Sequence, residues 1–301
     1  MNPILALIIA NIIWGAASPI FKYSLSNIPP FTLAFVRFFF AAYIFFPFLS
    51  KDNPSSLTKK DWLSIFLGSF FGIFINISFF FLGLQKTESI NAPVIASTGP
   101  LFIFIFSVLF LHEKPKLKIF LGMITSLIGV MIIILSPFFL GHVKSGLGEL
   151  EGNLMLVLAT IGSVASPIAL KKVSKKVSTN FLSFTTFMIS AVAFLPFMMF
   201  ELRTWSFSML NLAGFIGIIF GVFLSSAAAY FLFYYGLSKI QAQEVGIFAY
   251  IDPVIAVVIA IPLLNEYPNI YFFLGTILVF AGIYISENRL HYHPLARLRK
   301  K

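Results

Sequence analysis

Of the chain's 301 residues, 59% are apolar, only 11% are charged and 39 are Phe. Soluble domains carry about a quarter charged residues, so this composition excludes a water-soluble fold and indicates a polytopic membrane protein. Cysteine is absent, which removes disulfides, thiolate nucleophiles and Cys–metal sites, and the net charge of +10 reads as basic cytoplasmic loops, not nucleic-acid binding.

A helix needs about 20 apolar residues to cross a hydrocarbon core of about 30 Å. Ten such segments are expected, at residues 3–23, 31–49, 62–84, 91–111, 117–139, 152–171, 180–200, 210–237, 244–264 and 269–286. Open backbone in lipid would leave polar groups unpaired, so the fold class is an all-α integral membrane protein. The first segment lacks a basic leader and is too long for a signal peptide, so it is read as a retained span. With the N-terminus inside, 16 of the 21 Lys and Arg residues fall in inner loops and the tail. Lys22, Lys86, Lys144 and Arg203 fall outside, and Arg37 lies within a span. Both termini are therefore expected in the cytoplasm. The Lys-, Ile- and Phe-rich composition points to a prokaryotic plasma (inner) membrane.

The sequence repeats itself. Gly68, Gly83-Leu84, Ala96, Pro100, Glu113, Pro115, Gly122 and Gly129 recur 153 residues later as Gly221, Gly236-Leu237, Ala249, Pro253, Glu266, Pro268, Gly275 and Gly282. Ala17-Ser18-Pro19-Ile20 recurs as Ala165-Ser166-Pro167-Ile168, at an offset of 148. The expected organisation is a five-helix repeat over 1–140, a second over 150–287 and a basic cytoplasmic tail over 288–301. Five is odd, so the second copy enters the membrane from the opposite side, giving two inverted five-helix repeats. That arrangement is typical of secondary transporters, with a site near the midplane between the halves.

These residues also carry a family likeness. Trp14-Gly15 with Ser18-Pro19, Arg37, the two Gly-Leu pairs, Pro100 and Pro253, and Glu113-x-Pro115 and Glu266-x-Pro268 resemble the EamA-type branch of the drug/metabolite transporter superfamily. The resemblance spans essentially the whole chain. It implies ten helices, inverted repeats and export or exchange of small metabolites. The second half departs from the pattern, with Gly162-Ser163 where the first has Trp14-Gly15.

Asp252 is the sharpest candidate for chemistry, as the only acidic residue clearly inside a span. A carboxylate there is costly unless solvated, paired or protonated. It can carry a coupling proton, offset a cationic solute, or bond the backbone freed by Pro253. Its repeat counterpart is Gly99, so a kink alone does not require an acid. Arg37 can snorkel outward or clamp a carboxylate. If it shares a cavity with Asp252, the pair suits a zwitterion such as an amino acid. Pro19, Pro100, Pro167 and Pro253 are expected to break their helices and expose backbone to a cavity. Asn11, Trp14, Ser18, Asn76, Asn91, Ser97, Thr98, Ser163, Ser166, Tyr230, Tyr234 and Tyr250 are expected around them as substrate-binding residues. Trp and Tyr faces suit apolar or cationic groups.

Glu113 and Glu266 each precede a Pro suited to the first turn of the next helix, where negative charge is stabilising, and are read as structural. Gly68, Gly122, Gly129, Gly221, Gly275 and Gly282 suit close helix approach. No phosphate-binding loop, metal-ligand cluster or cofactor motif occurs, so neither metal nor cofactor is expected. The expected function is secondary transport of small organic metabolites as exporter or exchanger, with amino acids and similar zwitterionic, aromatic or cationic solutes favoured. Expected partners are the solute, the lipid bilayer and, for coupling, protons; a homodimer is allowed. The alternatives are a membrane-embedded enzyme acting on lipid, a passive channel or an accessory membrane subunit.

Overall fold

The computed structural model describes residues 1–51, 57–99, 102, 117–139, 148–239 and 246–287, and these are nearly all helical with no strand among them. The helices are α1 (Pro3–Ser24), α2 (Pro30–Phe45), α3 (Lys59–Leu84), α4 (Asn91–Ala96), α5 (Leu117–Phe139), α6 (Gly148–Val173), α7 (Thr179–Glu201), α8 (Leu212–Lys239), α9 (Asp252–Leu264) and α10 (Ile270–Glu287). A 3-10 turn, Phe46–Lys51, extends α2, and another, Gly246–Ile251, leads into α9.

Polar residues at the starts of the apolar runs define several boundaries. Asn2 accepts from the Ile4 N–H at 2.9 Å, with Pro3 in the first turn. Thr58 and Asp61 form a capping box on α3, Ser178 caps α7, and Asn211 caps α8. The start of α2 is served from elsewhere: the Glu201 carboxylate, at the end of α7, accepts from the N–H groups of Phe31 and Thr32 at 3.1 and 2.6 Å.

Six helical segments among the described residues are long and apolar enough to cross a membrane: Pro3–Ser24, Pro30–Leu49, Lys59–Leu84, Glu149–Val173, Thr179–Glu201 and Leu212–Lys239. Phe120–Ser136, Phe248–Leu264 and Ile270–Gly282 are apolar but shorter. Most of the expected span 91–111 lies outside the described residues, as does Pro100.

The expected proline breaks take a different form. Helices α1 and α6 run on through Pro19 and Pro167, because losing one backbone hydrogen bond does not end a helix supported on its flanks. Among the three of these prolines that are described, Pro253 alone coincides with a change of geometry, where the 3-10 turn becomes α9. The irregular backbone lies instead in α3 and α8, as π segments at Phe70–Ile75 and Phe220–Ala228. The two overlap when one is shifted by 153 residues.

Packing follows the repeat. Helix α3 lies antiparallel on α6, with Gly68 against Leu170, Gly72 against Ser166 and Gly83 against Gly152 and Leu156. Helix α1 lies antiparallel on α8 in the same manner, with Gly236 against Leu7, Trp14 beside Tyr230 and Gly221 against Phe21. Helix α2 crosses its counterpart α7 through Phe38–Phe187, flanked by Phe38–Phe194 and Phe45–Phe187, both 6.1 Å between centroids. Helix α5 crosses α10 antiparallel, where Ser126 donates to the Val279 carbonyl at 3.0 Å.

A Cβ on Gly129 would lie 2.6 Å from the Gly275 carbonyl oxygen. Gly129→Val is therefore expected to force α5 from α10 and cost about 1–3 kcal/mol, read as a lower melting temperature in detergent. Gly99→Ala is the control, because its Cβ would meet nothing nearer than Val164 Cγ2 at 3.8 Å. Equal melting of the two variants would sink this account of the crossing.

Candidate functional site

A cavity of about 270 Å³ lies among α1, α2, α3, α4, α6, α8 and the start of α9. Of the residues singled out in the sequence, Asn11, Trp14, Ser18, Arg37, Asn76, Ser163, Ser166, Tyr230 and Asp252 line it, as does Pro167. Both π segments reach its wall, through Gly72 and Ser225. A π turn widens the helix and leaves backbone groups outside the usual ladder, and such segments recur at functional sites.

Arg37 is 1% exposed, and its guanidinium is held on two sides. Nε donates to Ser226 Oγ at 2.9 Å and Nη2 to Ser225 Oγ at 3.1 Å. The ring centroids of Phe38 and Phe21 lie 4.6 and 4.7 Å from its central carbon, and that of Phe81 at 5.8 Å. The cation is thus stabilised by ring faces and hydroxyls, with no carboxylate among them. Nη1 is buried and has no hydrogen-bond partner. These contacts hold Arg37 inward, which excludes the snorkelling alternative.

Asp252 opens α9, where a helix N-terminus favours negative charge. Its Oδ1 is buried and also without a partner. The described residues contain no ion pair between Asp252 and Arg37, or between either and another group. Gly15 brings α1 against this turn: a Cβ there would lie 2.8 Å from the Asp252 carbonyl oxygen.

Trp14 forms the aromatic wall, edge-on to Tyr230 at 5.1 Å and tilted against Phe233 at 5.2 Å. Its indole N–H donates to the Ser225 carbonyl at 3.1 Å, so the π segment of α8 orients both Trp14 and Arg37. Asn11 donates to Leu7 O at 2.7 Å, and Asn76 reaches across to Ala159 O at 2.8 Å.

Five expected site residues lie off the cavity wall, satisfied elsewhere. Ser97 and Thr98 bond the carbonyls of Pro93 and Ile95, at 2.8 and 2.6 Å. Asn91 donates to Thr87 Oγ1 and Asn153 Oδ1. The Tyr234 hydroxyl donates to Thr186 at 3.3 Å, and Tyr250 packs edge-on against Phe280. Pro19 and Pro253 are not part of the wall either. Ser225, Ser226, Phe21 and Phe233 were not singled out in the sequence.

Glu266 does not cap α10. It is buried against the segment before α4, where Oε2 accepts from the Ser89 N–H at 2.8 Å and Ser89 Oγ at 2.6 Å. Its Oε1 pairs with Lys22 at 2.7 Å, and Lys22 also donates to Thr87 O. The carboxylate therefore ties α1, the turn before α4 and the end of α9 together. Glu113 lies outside the described residues.

The sequence model of the EamA-like transporter family matches residues 1–135 and again 150–287. The chain belongs to the EamA-like transporter family. It is 28% identical to the uncharacterized transporter YetK of Bacillus subtilis, over 95% of this chain and 87% of that protein. An uncharacterized transporter of Archaeoglobus fulgidus is 24% identical over 95% of this chain and 98% of its own. An S-adenosylmethionine uptake transporter of Rickettsia conorii is 26% identical, over 85% and 82%. A solved crystal structure with 17% identity superposes with a TM-score of 0.66, covering 96% of this chain and 99% of its own, and supports the fold alone. As an EamA-like chain with several apolar spans, this is a multi-pass membrane transport protein.

Proposed function

We propose that the chain is a secondary transporter of small organic solutes, working by alternating access between two inverted five-helix repeats. The observation that carries this reading is the cavity, whose wall is drawn from corresponding helices of both halves: α1 with α6, α3 with α8, and α4 with α9. A two-fold relation is supported by contacts that map onto themselves, to within one residue, under the repeat offsets. Phe38 meets Phe187 across α2 and α7, and Ser126 bonds Val279 across α5 and α10. Both crossings are antiparallel, as an axis in the membrane plane requires. Two halves so related can rock about a site between them. The basic loops favour both termini in the cytoplasm of a prokaryotic cell.

Zwitterionic, aromatic and cationic solutes are favoured by the aromatic wall and by the two buried charges. S-adenosylmethionine, named for the Rickettsia relative, is a molecule of this kind. Asp252 is the group proposed to carry a coupling proton. In proteoliposomes loaded with amino acids or S-adenosylmethionine, counterflow of the matching labelled solute is expected. An imposed pH gradient is expected to accelerate net uptake in the native protein and not in Asp252→Asn. Solute leaking without stimulation from the opposite side would instead indicate a pore.

A further inference from the structure

We infer that Arg37, gripped by Ser225 and Ser226, is a one-edged carboxylate subsite whose solute places its cationic group at Asp252; this rests on the transport reading above. Arg37 and Asp252 line one cavity, the Arg37 side chain and the Asp252 Oδ1 atom are buried there, and neither residue is paired with the other. In a membrane interior such an arrangement is expensive unless something with both charges joins them. A solute carrying one carboxylate and one cationic group supplies the missing partner to Nη1 and to Oδ1 together.

The serines set what Arg37 accepts. A free guanidinium binds a carboxylate or phosphate through two parallel donors. Here the Nε–H and one Nη2–H are already committed to Ser226 and Ser225, so that edge of the fork is closed and the edge that carries the unpartnered Nη1 remains. The two oxygens of one carboxylate fit that single edge. A phosphonate, with three oxygens and greater charge, would leave its third oxygen unpaired in an apolar wall built partly of Phe21. Ser225 also fixes Trp14 through its carbonyl, so the anion subsite and the aromatic wall are placed by one residue of the α8 π segment. Ser225 and Ser226 are positioning residues in this scheme, and Arg37 makes the contact.

The test uses purified full-length protein and the twenty protein amino acids, with binding read by thermal shift. The tightest amino acid is then compared with its decarboxylated amine, its deaminated acid and its aminophosphonate analogue. In the native protein each analogue is expected to bind at least about 100-fold more weakly, since a buried group left unpaired is strongly rejected. In Ser225→Ala the Nη2–H of the closed edge is released to meet a further oxygen, and the preference for carboxylate over phosphonate is expected to fall at least about tenfold. In Asp252→Asn the parent and the deaminated acid are expected to bind within a few-fold of each other.

The native-protein arm needs no variant, so a misfolded Ser225→Ala or Asp252→Asn leaves the test standing. Binding of the amine or the acid as tightly as the amino acid would overturn the inference. So would a folded Ser225→Ala with unchanged carboxylate preference, or a panel in which no amino acid binds. Counterflow of a neutral solute alongside any of these results would overturn the subsite and leave transport intact. Absence of counterflow with every solute would instead remove the transport reading.

Discussion

Glu266→Ala is expected to lower stability by about 3 kcal/mol, well beyond the effect of removing the ion-paired but exposed Glu151. The size follows from what the alanine leaves behind. Lys22 loses the carboxylate it pairs with, and the N–H and hydroxyl of the fully buried Ser89 lose their acceptor. Breaking one side of a buried pair costs about 3–5 kcal/mol. The lower end applies because the Lys22 side chain is 27% exposed. Lys86 and Glu151 make the opposite case: they are 2.5 Å apart but 37% and 49% exposed, so Glu151→Ala should cost about 0–1 kcal/mol. Reversible unfolding in mixed detergent measures both. Glu266→Gln should fall between them, because the amide oxygen can still accept from Ser89. Equal stabilities for Glu266→Ala and Glu151→Ala would show that burial of this cluster contributes nothing.

Glu266 also shows where sequence reading fails. Its position just before Pro268 suggests a helix cap, and only the packing of α9 against α1 shows that its partners lie some 180 and 240 residues earlier in the chain. The helices themselves were more legible. Their apolar runs are long, and Asn2, Thr58, Ser178 and Asn211 mark starts by the ordinary capping rule. Arg37 and Asp252 stood out because ionisable groups are rare in a span. Small neutral polar side chains are a weaker sign: Asn91, Ser97 and Thr98 bond nearby groups and lie off the cavity wall. Ser225 and Ser226 were passed over for the converse reason. Two serines in an apolar run look like back-bonding residues until Arg37 is seen against them. The π segments carry no proline or local polarity to announce them. Their one sequence trace is position, because each sits at the matching place in its repeat.

Gly15→Val is expected to abolish transport, and Gly15→Ala to slow it at least about tenfold while leaving the melting temperature nearly unchanged. The reasoning starts from the atoms a new Cβ would meet: the Asp252 carbonyl oxygen and Ile255 Cβ at 2.8 Å, and the Asp252 Cα at 2.9 Å. Two of the three belong to the backbone of α9, which cannot swing away as a long side chain can. Helices α1 and α9 must therefore separate, and Asp252 moves with α9 away from Trp14 and the rest of the wall. Overpacking of this kind costs about 1–3 kcal/mol. For alanine, about 1 kcal/mol returns through its better helix propensity, so fold and function should part company. A shift that weakens solute binding by 1.4 kcal/mol already amounts to tenfold. Valine adds two methyl groups to the same contact and has no such compensation. Trimming the neighbour offers a sharper check: Ile255→Gly removes one of the three clashing atoms but neither of the backbone ones. It should not restore flux to Gly15→Val, and a full rescue would mean that the Ile255 side chain, not the approach of α9's backbone, governs the contact.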